Sequence, residues 1–600
     1  MKGIAIGLSN NSKEILKRLK KTEFVKDIYI AGSSKDDGDK NELIQVQKPR
    51  EILLKKWPEI DLIIFIGSIA ASIRIINSFL TSKDQDPGVI VIDNKCSKIV
   101  PLIGLHQSNT QNIACQIANL LGGEIIETNN SNDQSLLNLD AFGNQWGWKR
   151  SGKINDWSKL VIKQAKNEEI FCKQLSGNSL WKNSESGQII NQINEKEIEK
   201  PDSTFHVSIF ENHETTWHPP VLWIGIGCER NTSKELITNS LNNFFESGNL
   251  SQQSIAGFAT IDIKKNEKGI LELAKEKNLP IKFFSKEDLS TIIVPNPSNV
   301  VQKEIGTPSV AEASCLLAAG EESKLLEEKR IFKNQSGAVT IAVAESKNQY
   351  NPTHGEIHII GSGPGDISFL TNNARKALSR CTVWIGYKMY LDLIKPLKRN
   401  DQVLIESKLT EEKERCSKAI KLAEEGIKVA LISSGESGFY GMAGLLLELL
   451  QKIKKEYRPY FEVHPGISSV QLAAAISGAP LMNDFCSVSL SDKLTPWSLI
   501  EKRIEGALVG DFVIALFNPQ SIERNWQLKS VIDICLQSRH GDTPVLIARQ
   551  VGRENQTKKF FTLNTIPFKE IDMLSIIIIG NSQTTLVDEI FLTPRGYLQN

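Results

Sequence analysis

Short apolar runs that end in glycine, serine or proline and give way to helical patterns recur along most of this 600-residue chain. No other feature constrains its fold as strongly. GIAIG (3–7), DIYIAG (27–32), LIIFIG (62–67) and GVIVID (88–93) read as strands, with helices predicted over Lys13–Lys20 and Asn109–Leu121. Strands that alternate with helices of this length predict an α/β fold with a parallel sheet and helices on its faces. The same rhythm returns at 356–360 (EIHII), 382–386, 428–433, 460–464, 511–517, 544–548 and 574–580. Between these stretches, VLWIGIGCERNTS (221–233), GFATIDI (257–263), EASCLLAAG (312–320) and AVTIAVAES (338–346) outline another compact α/β segment.

This organisation predicts a multidomain α/β chain. Two small α/β domains occupy 1–150 and 220–346. A connecting region lies at 151–219, where Asn, Ser, Lys and Glu dominate and partial order is expected around Trp148, Trp157 and Trp181. A polar linker, KNQYNPTHG (347–355), precedes the last α/β system at 356–600.

Composition removes whole classes. With 40% hydrophobic and 24% charged residues the chain is not disordered. Lys+Arg number 71 against 70 Asp+Glu, so no overall basic field draws in nucleic acid. The nine cysteines are spread singly without a CxxC pair, the pattern of reduced cytoplasmic thiols and not of a disulfide framework or zinc motif. The longest apolar run, Leu62 to Ile73, stops at Arg74. A spanning helix needs about 20 residues, so no membrane association is expected.

Three glycine-containing loops in the last system carry the chemistry. Gly361-Ser362-Gly363-Pro364-Gly365-Asp366 follows the strand at 356–360. It lacks the third glycine of a dinucleotide fingerprint, and Pro364 removes an N–H that would hold a phosphate. It is therefore a loop shaped for close ligand approach or an ordinary strand-to-helix turn, with Thr371 as the N-cap of the next helix. The second loop, Ser433-Ser434-Gly435-Glu436-Ser437-Gly438, puts a carboxylate at a strand's carboxyl end, where open α/β sheets bind ligands. There Glu436 suits ribose hydroxyls, or is simply solvated. The third, His464-Pro465-Gly466-Ile467-Ser468-Ser469, offers Ser468 as an N-cap or a ligand contact.

On these residues, 356–594 resembles the tetrapyrrole (precorrin) methyltransferase family. IIGSGPGDISFLT (359–371), SSGESGFYGMA (433–443) and HPGISSVQLAAAISGAPL (464–481) match the wider family. SVSLSDKLTPW (487–497), DFVIALFNPQSIERNWQL (511–528), TPVLIARQVGRENQ (543–556) and DMLSIIIIGNSQT (572–584) complete the match, and SLSDKLTPW and FNPQSIERNW point to its precorrin-3B C-17 branch. The resemblance implies a two-subdomain unit with an S-adenosylmethionine site in the cleft between the subdomains. Gly363, Pro364, Gly435, Glu436, Ser437, Ser468, Ser469, Phe517 and Asn518 would bind the cofactor, and Asp366 would accept a proton or bind a pyrrole N–H. An Asp in a glycine-rich turn equally serves as a cap. Family members commonly have Asp where this chain has Glu436. Arg524, Arg549 and Arg553 are candidates for the carboxylates of a tetrapyrrole substrate. The implied reaction is C-17 methylation with ring contraction in cobalamin synthesis. The open alternatives are another ring position or the cobalt-containing substrate, cobalt-factor III. Family methylases are usually dimers, so a homodimer is expected.

Residues 1–346 resemble a second corrin-pathway family, the cobalt-precorrin-5A hydrolases. The matching stretches are IIFIGSIAASIRII (63–76), SKDQDPGVIVID (82–93), IVPLIGLHQSNTQNIACQIANLLGG (99–123), LWIGIGCERNTS (222–233) and GTPSVAEASCLLAAG (306–320). His106 and Glu312 are the implied acid/base pair. The family's glycine-rich stretch appears here as Leu105-His106-Gln107-Ser108-Asn109, without the glycines. A non-catalytic tetrapyrrole-binding or assembly module is the alternative for this half. His206, His213 and His218 do not share one helix face, and no metal site is assigned.

Overall fold

In a computed structural model of the chain, the described residues are 2–32, 45–81, 86–104, 110–126, 136–193, 201–211, 214–335, 337–521 and 524–597. The chain divides into two compact units, Met1–Gln134 and Ser135–Asn600.

The first unit is built on one sheet, β3-β2-β1-β4-β5-β6-β7. Its strands are β1 (Gly3–Gly7), β2 (Asp27–Ile30), β3 (Gln45–Val46), β4 (Leu62–Ile66), β5 (Gly88–Ile92), β6 (Lys98–Ile103) and β7 (Glu124–Ile125). All pairs are parallel except β5–β6. Strands β1, β4 and β5 are buried at every position, as strands covered on both faces must be. The helix expected at Lys13–Lys20 is present, and that expected at Asn109–Leu121 is helical over Thr110–Leu121, with Asn109 outside the described residues.

The second unit starts before the predicted boundary at 150. Phe142, Trp146 and Trp148 already belong to its core. Reading 151–219 as a connecting region is also corrected. The chain there forms a sheet, β10-β9-β11-β12-β8, from β8 (Lys149–Ser151), β9 (Phe171–Gln174), β10 (Asn191–Gln192), β11 (Thr204–Val207) and β12 (Thr216–His218). Short strands with polar edges hid this sheet, whereas its interior is aromatic. Trp146, Trp157, Trp181, Trp217, Phe142 and Phe205 are all essentially inaccessible, and their cluster runs on without a break into Ile357, Ile359, Val429 and Leu431 of the methylase-like region. The indole N–H groups find acceptors: Trp157 donates to Ser151 O (2.8 Å), Trp181 to Gln174 Oε1 (3.0 Å) and Trp217 to Leu139 O (3.0 Å).

A further sheet, β15-β14-β13-β17-β16, comprises β13 (Leu222–Cys228), β14 (Ile255–Ile261), β15 (Ile281–Phe284), β16 (Lys324–Asn334) and β17 (Gly337–Glu345). Residues 347–355 carry no regular structure, yet Gln349 is buried. It accepts from Trp148 Nε1 at 2.8 Å and donates to Trp146 O and Glu425 O at 2.7 and 2.8 Å. The expected linker is therefore a packed joint.

The last 245 residues make two five-stranded sheets and a small three-stranded one. The first is β20-β19-β21-β18-β22, all parallel, from β18 (Glu356–Gly361), β19 (Val383–Tyr387), β20 (Val403–Ser407), β21 (Lys428–Ser433) and β22 (Tyr460–His464). After β23 (Gly478–Ala479), the second is β24-β25-β28-β26-β27, from β24 (Phe485–Ser489), β25 (Val513–Phe517), β26 (Pro544–Arg549), β27 (Thr557–Thr562) and β28 (Ser575–Ile579). Strand β23 pairs with β30 (Ile590–Leu592), which pairs with β29 (Thr585–Val587). No helix among the described residues is long and apolar enough to cross a membrane.

Candidate active site

Carboxyl ends of parallel strands are where open α/β sheets leave a crevice. The three glycine loops follow the carboxyl ends of β18, β21 and β22, and their backbones touch. Gly363 N donates to Gly435 O (3.1 Å) and Gly435 N to Gly363 O (2.8 Å), with φ of 75° and 63°. A Cβ on Gly466 would lie 2.0 Å from Gly435 O and 2.6 Å from Gly361 O. No side chain fits there. The first loop also reaches the second sheet, since Asp366 N donates to Gly552 O at 2.6 Å.

The result is a cleft of about 830 Å³ including its open mouth. One wall holds Pro364, Gly435, Glu436, Ser468 and Ser469. The other holds Phe517 and Asn518 after β25, Gln550, Val551 and Arg553 after β26, and Met573 to Ile576 at β28. Tyr440 closes one end, its hydroxyl donating to Ser487 O of β24 (3.0 Å). Phe439, Tyr440 and Phe517 form an aromatic corner, with ring centroids 5.1 to 5.2 Å apart. Tyr440, Asn518 and Gln550 all have positive φ, of 55°, 51° and 50°. Backbone held in this region stores about 1–3 kcal/mol and clusters at functional sites. Only the tertiary structure reveals this signal, which the sequence reading missed along with Tyr390, Phe439 and Gln550.

Seven of the nine predicted cofactor residues line the cleft: Pro364, Gly435, Glu436, Ser468, Ser469, Phe517 and Asn518. Gly363 lies behind, in the bridge to Gly435. Ser437 is fully enclosed, with no hydrogen-bond partner at its Oγ. Glu436 accepts from its own loop at Gly438 N (2.7 Å), and Asn518 donates to Ser489 Oγ (3.0 Å).

The predicted catalytic residues Asp366 and Glu312 each have local partners. Asp366 does not line the cleft. Its carboxylate accepts from Ser368 N (2.7 Å) to cap a short turn, and that bond holds its pKa below the usual carboxylate range. Glu312, in the helix Ala311–Ala319, is fully buried and accepts from Asn296 Nδ2 (3.0 Å), Lys329 N (3.2 Å) and Ser309 Oγ (3.3 Å). His106 lies outside the described residues, as does His213.

Of the three arginines, only Arg553 lines the cleft. Its Nη1 meets Met389 Sδ (3.2 Å) and its Nε meets Pro364 O (3.4 Å), both weak for a guanidinium. Arg549 is paired with Asp572 at 2.7 Å, and Arg524 is buried against Ser491 and Met573. His218 uses both ring nitrogens, on Ser151 Oγ (2.7 Å) and Ser208 O (2.8 Å), and burial keeps it neutral. His206 instead meets Glu214 Oε2 at 3.3 Å. Burial pushes the thiols of Cys228 and Cys535 up to about 11, which removes them as nucleophiles at neutral pH.

The cleft thus lies between two sheets of an α/β unit and is floored by the glycine loops. Residues 356–567 match the family of tetrapyrrole (corrin/porphyrin) methylases. Residues 51–132 and 222–344 match the N-terminal region and C-terminus of cobalamin synthesis G. The chain is 44% identical over 241 residues to a protein of Salmonella typhimurium named probable cobalt-factor III C(17)-methyltransferase, covering 99% of it and 40% of this chain. It is 44% identical over 245 residues to the cobalt-factor III methyltransferase of Priestia megaterium, again over 40% of this chain but only 45% of that protein's length. It is 33% identical to the precorrin-3B C(17)-methyltransferase of a Sinorhizobium species, over 97% of that protein and 40% of this chain. The chain belongs to the tetrapyrrole methylase family, and it carries the two cobalamin synthesis G regions ahead of the methylase unit.

Proposed function

We propose that residues 356–597 transfer a methyl group from S-adenosylmethionine to C-17 of a corrin precursor, with contraction of the ring. The observation that carries this reading is the cleft itself: the three glycine loops and the Phe517–Asn518 turn, separate in sequence, converge on one cavity. The residues fit the cofactor. The aromatic corner of Phe439, Tyr440 and Phe517 suits a flat base and a sulfonium, Glu436 suits hydroxyl or ammonium donors, and bare glycine backbone permits close approach. When bound, S-adenosylmethionine supplies an electrophilic methyl group.

The protein's part is positioning. Pro364, Phe517 and Val551 line the cleft with apolar surface, while Ser468, Ser469 and Asn518 offer polar groups that orient the ligand. Such orientation supplies several kcal/mol of barrier reduction without a covalent intermediate. Arg553, with only weak internal partners, receives a substrate carboxylate. Cobalt-factor III is the favoured substrate, because relatives of that name reach 44% identity against 33% for the one named for precorrin-3B.

For the regions before the methylase, Glu312 favours a second reading. Three donors fix its carboxylate, which suits a residue that holds a loop better than one that moves protons. We propose a tetrapyrrole-handling module there, with lactone opening as the activity to test.

A single-turnover assay tests both readings. Labelled S-adenosylmethionine is supplied with cobalt-factor III or precorrin-3B, and acetaldehyde release is scored from cobalt-precorrin-5A. Label on the cobalt-containing ring is the expected result. No label on either ring, in protein that binds S-adenosylmethionine, would sink the C-17 reading. Acetaldehyde would restore catalysis to the first half.

A further inference from the structure

Among the described residues, strand β22 is an edge of its sheet and its ladder is with β18, in the register Glu356↔Tyr460, His358↔Glu462 and Ile360↔His464. Side chains alternate along a strand, so Glu356, His358, Glu462 and His464 share one face. The opposite face of β18 carries Ile357 and Ile359 into the aromatic core. Where a sheet face normally buries apolar groups, this edge places two imidazoles and two carboxylates.

Their geometry is specific. His358 Nδ1 lies 2.9 Å from His464 Nε2. Glu462 Oε2 is 3.9 Å from His358 Nδ1 and 3.8 Å from His464 Nε2. Among the described residues these three form the one group of His, Cys and carboxylate side chains whose ligand atoms all fall within 4.8 Å of one another. Tetrahedral zinc with bonds of about 2.0–2.1 Å sets its ligand atoms about 3.3 Å apart, and the observed separations bracket that value.

The second observation is the outer support. His358 Nε2 donates to Glu356 Oε2 at 2.8 Å. Glu356 is itself anchored by Lys428 at 2.6 Å, with Arg380 at 3.6 Å. A carboxylate on Nε2–H fixes the His358 tautomer and turns the Nδ1 lone pair toward His464 and Glu462. Carboxylate–histidine–metal relays are built this way, and loss of the outer partner typically weakens metal binding about 10- to 100-fold. His358 is fully buried, while the side chain of Glu462 is 47% exposed, which leaves an entry path from solvent.

We propose that His358 Nδ1, His464 Nε2 and Glu462 bind a divalent transition metal of the zinc type, with Glu356 as the orienting partner. Imidazole and carboxylate together suit such an ion better than calcium or magnesium. The site is separate from the methylase cleft but joined to it by chain. His464 opens the loop that carries Ser468 and Ser469 into that cleft, so a bound ion clamps the edge strand and fixes the start of the loop.

The test uses the full chain, stripped with a chelator. Zn2+ is titrated against a chromophoric competitor, and Co2+ is added separately for its visible spectrum. The wild type is expected to bind one more equivalent of Zn2+ than His464→Gln. Its Co2+ complex should show the intense bands of four or five coordination, and Glu356→Gln should weaken binding about 10- to 100-fold. Equal zinc binding by wild type and His464→Gln would overturn the proposal and leave a simple imidazole–imidazole hydrogen bond. A weak octahedral cobalt spectrum unchanged by the variant would do the same. Should His464→Gln fail to fold, Glu462→Gln, altered at a half-exposed side chain, gives the same comparison.

Discussion

Gly363 and Gly435, in separate loops of the chain, exchange two backbone hydrogen bonds, and Gly466 packs its bare Cα against the carbonyl oxygen of Gly435. This three-way contact of main chains sets the floor of the cleft. It has no slack, because a side-chain atom on Gly466 would overlap Gly435 O.

Gly466→Ala should therefore fold but bind S-adenosylmethionine poorly. Overpacking of this kind costs about 1–3 kcal/mol, so a loss of roughly tenfold or more is expected. Isothermal titration calorimetry, with circular dichroism as the fold control, reads it directly. Wild-type affinity in the variant would refute the floor's role.

Asp366 caps a turn outside the cleft, and an asparagine oxygen can accept the same Ser368 N–H. Asp366→Asn should keep kcat within a few-fold of the wild type. Removal of a general base typically costs 10²–10⁴, so a drop of that size in single-turnover rates would return Asp366 to a proton-transfer role.

Gln349 ties the aromatic region to the methylase-like sheet through Trp148 Nε1, Trp146 O and Glu425 O while itself only 2% exposed. Gln349→Ala leaves these groups buried and unpaired, at about 1–3 kcal/mol for a stranded donor or acceptor. Denaturant melts followed by tryptophan fluorescence and by far-UV circular dichroism should shift together. A shift in fluorescence alone would mean that the region melts independently of the methylase.

Lys282 sits 4.2 Å from the ring of Trp223 and 4.7 Å from that of Tyr350, and burial lowers its pKa to about 8, with Glu424 opposing. The unfolded chain then binds this proton more readily than the folded one. Stability should rise with pH from about 8 toward the unfolded value of 10.5, and the penalty is fully present below about 8. Lys282→Met should flatten that rise when the two proteins are compared by chemical denaturation at pH 7.5 to 10.5. An unchanged difference between them across this range would show that ring contacts with the ammonium offset its burial.

Much of the methylase-like unit was legible in sequence because its strands are continuous apolar runs stopped by glycine. The strand read at 356–360 is β18, that at 428–433 is β21, and Thr371 caps its helix by accepting from Ala374 N. Residues 149–218 were not legible. Their strands are two to four residues long, and their buried face is made of tryptophans scattered between polar residues, so no period-two pattern accumulates.

The site divides the same way. Local sequence determined which residues could build a ligand loop, since glycine tolerance of positive φ and close approach is a property of the residue itself. Which groups face the ligand depended on the contacts each side chain makes in the folded chain. Ser437 is fully buried, Asp366 is spent on Ser368, Glu312 is held by Asn296 and Lys329, and of three arginines only Arg553 lacks a carboxylate or a tight enclosure. His358, Glu462 and His464 meet because β18 and β22 pair in parallel at a particular register. Register is a long-range property set by sheet assembly, which spacing along a single strand does not encode.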